Sequence, residues 1–172
     1  MNKILLVGYM GTGKSTVGKE LAMELSLPFY DLDDIISQKE QMSIKDIFDK
    51  KGEIYFRKIE HLVLQDFLKS NDKYVLSLGG GTPCYANNHE VLLYDDISSI
   101  YLKTSINEIV DRLLKADSKR PLVIGKNKED LTEYVAKHLF DRSYFYHQCK
   151  YTVLTDGKIT SDVVTNIKTL LA

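Results

Sequence analysis

Gly8-Tyr9-Met10-Gly11-Thr12-Gly13-Lys14-Ser15 is the stretch on which the reading of the fold turns. Its eight residues fit the pattern G-x-x-x-x-G-K-[ST]. They lie between a short apolar run, residues 3–7, and a segment in which Val17, Leu21 and Leu25 recur at helical spacing. Strand, glycine turn and helix in that order make a phosphate cradle. The glycines let successive backbone N–H groups curl around an anion, the helix N-terminus adds its positive end, and Lys14 supplies a cation for the β and γ phosphates. Ser15 offers a hydroxyl to Mg²⁺. A glycine turn that only joined a strand to a helix would have no use for the Lys-Ser pair, so the sequence predicts a nucleotide binder.

Outward from this motif, strands and helices alternate. Residues 29–32 form a second strand candidate, and Ser43 with Asp46 makes a capping box ahead of Ile44, Ile47 and Phe48. Ile59, Leu62, Val63 and Phe67 keep a helical period over residues 53–68, and residues 74–78 form a third strand stopped by Gly79-Gly80-Gly81. Residues 98–102 read as a fourth strand, followed by a second capping box, Ser105 with Glu108, and a helix that fades near Ala116. Residues 117–128, with Arg120-Pro121 and little periodicity, read as an exposed mobile loop. A helix over 129–147, a strand at 151–154 and a helix over 160–171 complete the chain. This alternation predicts one α/β domain in three layers, α/β/α, with a parallel sheet covered on both faces and ligands outside the carboxyl ends of its strands.

Composition narrows the function. The 172 residues are 44% hydrophobic, enough for a real core. A formal net charge of -1 lacks the basic excess that a nucleic-acid backbone requires. No segment approaches the roughly 18 apolar residues of a membrane span, and residues 4–7 are too short for a signal-peptide core. Cys84 and Cys149 lack zinc-site spacing and are expected to be reduced thiols, which fits a cytoplasmic protein. The four histidines show no metal or triad spacing.

The remaining candidates follow strands or sit on helices. In Asp31-Leu32-Asp33-Asp34, strand alternation would send Asp31 and Asp33 to one side, where one could serve a metal and the other an acceptor hydroxyl. Helix capping by Asp33 or Asp34 is the competing reading. Arg57, Arg120 and Arg142 could be solvated surface residues or could use their planar forks on a carboxylate or phosphate. The glycine triplet could be only a tight turn, or could bring backbone amides close to a ligand.

Taken together, these features resemble the shikimate kinase family from Gly8 to about Tyr146. The residues that carry the likeness are the GYMGTGKS loop, Asp31 and Asp33, the run Gly52-Glu53…Phe56-Arg57…Glu60, Gly79 to Gly81, Arg120-Pro121-Leu122, and Arg142 with Tyr146. The chain departs from the usual family pattern at Ser37, at Thr82-Pro83 and over residues 155–158.

The resemblance implies a P-loop NTPase fold with a five-stranded parallel sheet in the order 2-3-1-4-5. Residues 33–60 would form a helical substrate-binding region and residues 117–128 a mobile lid. The implied reaction is transfer of the γ-phosphate of ATP to the 3-hydroxyl of shikimate, within aromatic amino acid biosynthesis. By the same resemblance, Asp31 and Ser15 would hold Mg²⁺. Gly11, Thr12, Gly13, Lys14, Ser15, Thr16, Arg112 and Arg120 would bind the nucleotide, Arg112 by packing on adenine. Asp33, Phe48, Phe56, Arg57, Gly79, Gly80, Gly81 and Arg142 would bind shikimate, with the two arginines on its carboxylate. Lys14, Asp33 and Arg120 would carry the catalysis. The enzyme is expected to be a cytoplasmic monomer. Rival readings are another small-metabolite kinase of this architecture, such as a gluconate-type enzyme, and a nucleotide-binding switch that phosphorylates nothing.

Overall fold

The computed structural model describes residues 3–116 and 125–172. Five strands form one parallel sheet: β1 (Lys3–Val7), β2 (Phe29–Asp31), β3 (Tyr74–Ser77), β4 (Ile97–Lys103) and β5 (Tyr151–Leu154), in the spatial order β2-β3-β1-β4-β5. That is the order implied by the resemblance. In register, Leu5 lies beside Leu76 on one flank and Ser99 on the other.

Both faces of the sheet are covered, as near-continuous apolar strands require. Alternate residues of β1 feed two cores. Ile4 and Leu6 pack with Val75, Ile100 and Leu102 under α1 (Lys14–Leu25) and α6 (Thr160–Leu171). Leu5 and Val7 pack with Leu76, Leu78 and Tyr101 on the other side, beneath α2 (Leu32–Glu40), α3 (Ile44–Ser70), α4 (Ile106–Lys115) and α5 (Lys128–Tyr146). Truncating a fully buried leucine such as Leu6 or Leu76 to alanine costs about 2–5 kcal/mol.

Some boundaries differ from the sequence reading, for physical reasons. The second strand ends at Asp31, because Asp31 rather than Asp33 or Asp34 caps the next helix: its side chain accepts from the Asp33 N–H at 3.0 Å. The helix expected over 53–68 reaches back to Ile44, bent where Gly52 takes φ 83° and ψ 169°. A 3-10 segment, Asn88–Leu93, has no counterpart in the sequence reading, since its turns carry no helical period. Of the two capping boxes, Ser43 Oγ accepts from the Asp46 N–H and donates to the Asp46 carboxylate. Ser105 accepts from the Glu108 N–H, but its own N–H donates to Asp156, which frees Glu108 to pair with Arg112.

Candidate active site

The turn from β1 into α1 sets Gly11 at φ 80° and Gly13 at φ 86°, left-handed values that a β-carbon resists. Gly13 is also the N-cap of α1, so the amides of the first helical turn face outward without a side-chain cap. A cleft of about 800 Å³ opens above them, lined by Gly11, Gly13, Lys14, Ser15 and Thr16 of the loop and helix start, by Arg112, and by Asp31, Asp33, Gly79 and Gly80. It lies at the carboxyl ends of β1, β2 and β3, beside the motif that opens α1.

Lys14 Nζ donates to the carbonyls of Gly8 at 2.7 Å and Tyr9 at 3.0 Å. The Ser15 hydroxyl donates to Asp31 Oδ2 at 2.9 Å, so two hard oxygen donors already sit together. That pair suits Mg²⁺, which takes one or two protein oxygens and keeps its remaining positions for water and phosphate. Among the described residues no group of three or more His, Cys, Asp or Glu side chains could cage a metal.

Strand alternation predicts Asp33 on the side of Asp31, yet Asp33 sits in the first turn of α2. It reaches the cleft because the helix starts there, and its carboxylate lies where a β-carbon on Gly79 would come within 3.2 Å of Oδ1. Burial, reinforced by the Asp31 and Glu60 carboxylates and offset in part by Lys14 and Arg57, pushes the Asp33 carboxyl up to about 6.

The glycine triplet is where the arginines converge. A β-carbon on Gly80 would lie 3.1 Å from Arg142 Nη1, and one on Gly81 would lie 2.6 Å from Arg57 Nη2. Asp33, Arg142 and Arg57 thus meet three consecutive glycines, from α2, α5 and α3. A β-carbon at position 81 would push the Arg57 guanidinium out of its place.

Arg57 is strongly held. Its Nη1 donates to Glu60 Oε1 at 2.8 Å, and the other oxygen of Glu60, a residue only 1% exposed, accepts from the Thr82 hydroxyl at 2.8 Å. Its Nε is buried and lacks a hydrogen bond, the Glu53 carboxylate being 3.7 Å away. Phe48 and Phe56 stack against each other with centroids 4.5 Å apart, and the Arg57 Cζ is 5.1 Å from the Phe56 ring centre. The Tyr146 hydroxyl donates to Gly80 O at 2.6 Å, fixing the triplet to α5 one turn beyond Arg142.

A second, smaller cleft is lined by Thr12, Gly13, Thr16, Arg112, Thr155 and Lys158. Arg112 borders both clefts and donates to Glu108 at 3.0 Å and to Gly11 O at 3.4 Å. Arg120 lies outside the described residues, as does most of the lid expected over 117–128.

A sequence model of shikimate kinase matches residues 10–172. The shikimate kinase of Flavobacterium johnsoniae is 47% identical over 172 residues, covering 100% of both chains. That of Flavobacterium psychrophilum is 48% identical over 171 residues, with 99% of each chain covered. The chain belongs to the shikimate kinase family. Among solved structures, the shikimate kinase from Bacteroides thetaiotaomicron superposes with a TM-score of 0.91 at 31% identity, covering 99% of this chain and 98% of that one. The Acinetobacter baumannii shikimate kinase, solved in complex with shikimate, gives 0.85 at 35% identity, over 99% and 93%. As a member of the shikimate kinase family the protein is a phosphotransferase with an alcohol acceptor, and neither the gluconate-type enzyme nor the non-catalytic switch is favoured.

The sequence reading missed several supports of the site. Thr82 stood out only as a departure from the family pattern, and Tyr85, whose ring centre lies 4.0 Å from the Arg57 Cζ, gave no motif signal. Tyr9, inside the phosphate loop, bonds His138 of α5 at 3.0 Å. Glu60, three residues after Arg57 and part of the family run, was the one readable hint of them.

Proposed function

We propose that the enzyme transfers the γ-phosphate of ATP to the 3-hydroxyl of shikimate, giving shikimate 3-phosphate and ADP. The observation that carries this reading is the convergence of Asp33, Arg57 and Arg142 on Gly79 to Gly81, beside the phosphate loop. The Acinetobacter relative's complex with shikimate supports the choice of acceptor.

In this scheme the amides of residues 11–16 and Lys14 hold the β and γ phosphates. Bound Mg²⁺ would neutralise phosphate charge, held through Ser15 and Asp31. Arg57 and Arg142 present their forks to the acceptor carboxylate, Gly79 to Gly81 offer backbone groups, and Phe48 with Phe56 form the apolar wall. Asp33 accepts the proton of the attacking hydroxyl as its oxygen bonds the γ-phosphorus. The bond from phosphorus to the β,γ-bridging oxygen breaks, ADP leaves, and the proton passes on to solvent. Lys14, with Arg120 as a further cation, spreads charge on the transferring group. Arg112, at the edge of the second cleft, packs on adenine.

A raised Asp33 carboxyl, near 6, suits a general base, being mostly ionised at neutral pH yet basic enough to take a proton. Thr16 belongs with the nucleotide contacts. A monomeric, cytoplasmic enzyme is part of the same proposal, supported by the family resemblance, and sedimentation checks the oligomeric state. No helix among the described residues is long and apolar enough to cross a membrane.

An ADP-release assay with shikimate, gluconate, a nucleoside monophosphate or no acceptor tests the reading. Turnover only with shikimate is expected. Turnover with gluconate alone, or at equal rate without acceptor, would overturn it.

A further inference from the structure

The turn that follows the glycine triplet is built more firmly than a connection needs to be. Thr82 anchors one end through its bond to the buried Glu60. Asn88, 1% exposed, anchors the other: its Nδ2 donates to Thr82 O at 3.0 Å, its Oδ1 lies 2.7 Å from His61 Nδ1, and its N–H donates to Tyr85 O at 2.9 Å. Between the anchors, Ala86 and Asn87 both adopt left-handed backbone, at φ 49° and 55°. Asparagine tolerates that region, whereas an alanine there carries a steric cost with no side-chain hydrogen bond to offset it. Strain of this kind persists only where surrounding contacts impose it, and it clusters at working sites.

The product of this geometry is the placement of Tyr85. Its ring centre lies 4.0 Å from the Arg57 Cζ, nearer than Phe56 at 5.1 Å or Phe48 at 6.0 Å. Tyr85 is 38% exposed, so burial alone does not explain why the chain is bent to put it there. The same turn therefore grips Arg57 twice, through Thr82 and Glu60 at its base and through Tyr85 at its tip. Stacking engages the face of a guanidinium and leaves its in-plane N–H groups unspent. A carboxylate in the place of Tyr85 would instead occupy those donors and compete with the acceptor.

We propose that Tyr85 is a positioning residue for acceptor recognition: it fixes the plane of the Arg57 guanidinium so that its free edge meets a planar anionic group. This rests on the assignment of Arg57 to the acceptor carboxylate, and the test separates the two.

Steady-state kinetics with shikimate and ATP would be measured for Tyr85→Leu, Tyr85→Met, Tyr85→Phe and Arg57→Lys, with urea unfolding of each. Leu and Met keep apolar bulk and remove the ring. Each should raise the shikimate KM roughly 3- to 30-fold, the range a cation–π contact spans, with the ATP KM and kcat within about two-fold of the parent. Phe should restore the parent KM to within about two-fold, and all three Tyr85 variants should unfold at nearly the parent's urea concentration. Combining Tyr85→Leu with Arg57→Lys should add little to the lysine variant alone.

If Arg57→Lys raises the shikimate KM and both ring-less variants leave it unchanged, the role of Tyr85 is refuted and that of Arg57 stands. If Arg57→Lys has no effect on that KM, the Arg57 assignment itself fails. A Phe variant as impaired as Leu, or losses spread equally over both substrates with weakened folding, would also overturn the proposal.

Discussion

Replacing Asp33 by asparagine should make the protein more stable at neutral pH while disabling it. The carboxyl is raised from the ordinary aspartate value of 3.8 to about 6, chiefly by burial and then by Asp31 and Glu60. The folded state thus prefers the protonated acid, so the stability this group contributes is fully present below about pH 4 and is lost as pH rises through about 6. At roughly 1.4 kcal/mol per tenfold change in proton affinity, the full cost at pH 7.5 is about 3 kcal/mol, of which about 1 kcal/mol is already felt at pH 4.5. Asparagine imitates the neutral acid at every pH. The advantage of Asp33→Asn over the parent should therefore grow by about 2 kcal/mol between pH 4.5 and pH 7.5, whatever offset the amide itself introduces. In melting temperature that is about 4–8 °C for a domain of this size. Urea unfolding at both pH values, in chelator and without nucleotide, measures it, and kcat should fall about 10²–10⁴-fold with little change in the ATP KM. A stability difference that is flat with pH, or that shrinks as pH rises, would refute the burial of an ionised Asp33.

Arg57→Lys should raise the shikimate KM about 10- to 100-fold with the ATP KM nearly unchanged. Arg57→Ala should in addition destabilise the fold by about 3–5 kcal/mol, because it strands the buried Glu60; kinetics and urea unfolding separate the two effects. Gly81→Ala would place a methyl 2.6 Å from Arg57 Nη2, so a shikimate KM at least 10-fold higher is expected at near-parent ATP affinity. Thr82→Val removes the hydroxyl bonded to Glu60 and should cost about 1–3 kcal/mol in unfolding, with a weaker rise in the shikimate KM than Arg57→Lys.

How much of this was legible in the sequence depends on whether the signal is local. The phosphate loop is a contiguous backbone device, so eight residues disclose it. The alternating strands and helices were readable from the short periods of their apolar residues, and the errors fell at boundaries such as Asp31, where one side chain decides between strand and cap. The site is a different matter. Residues 33, 57, 79–81 and 142 come from four separate elements, and nothing in their spacing announces a meeting; the order of motifs, through its resemblance to a family, supplied it. The supports behind them, Glu60 apart, gave no signal of their role. Thr82, Asn88 and Tyr85 act through long-range hydrogen bonds and a stacked ring, and the left-handed Ala86 breaks a local preference that only tertiary contacts can enforce.

The most direct measurement is the fate of the phosphoryl group. With ATP, Mg²⁺ and shikimate, phosphorus NMR should reveal one phosphate ester, at the 3-hydroxyl, formed in step with one ADP. ADP that accumulates without shikimate, or a phosphate on any other hydroxyl, would contradict a site in which Asp33, Arg57 and Arg142 fix a single acceptor beside the phosphate loop.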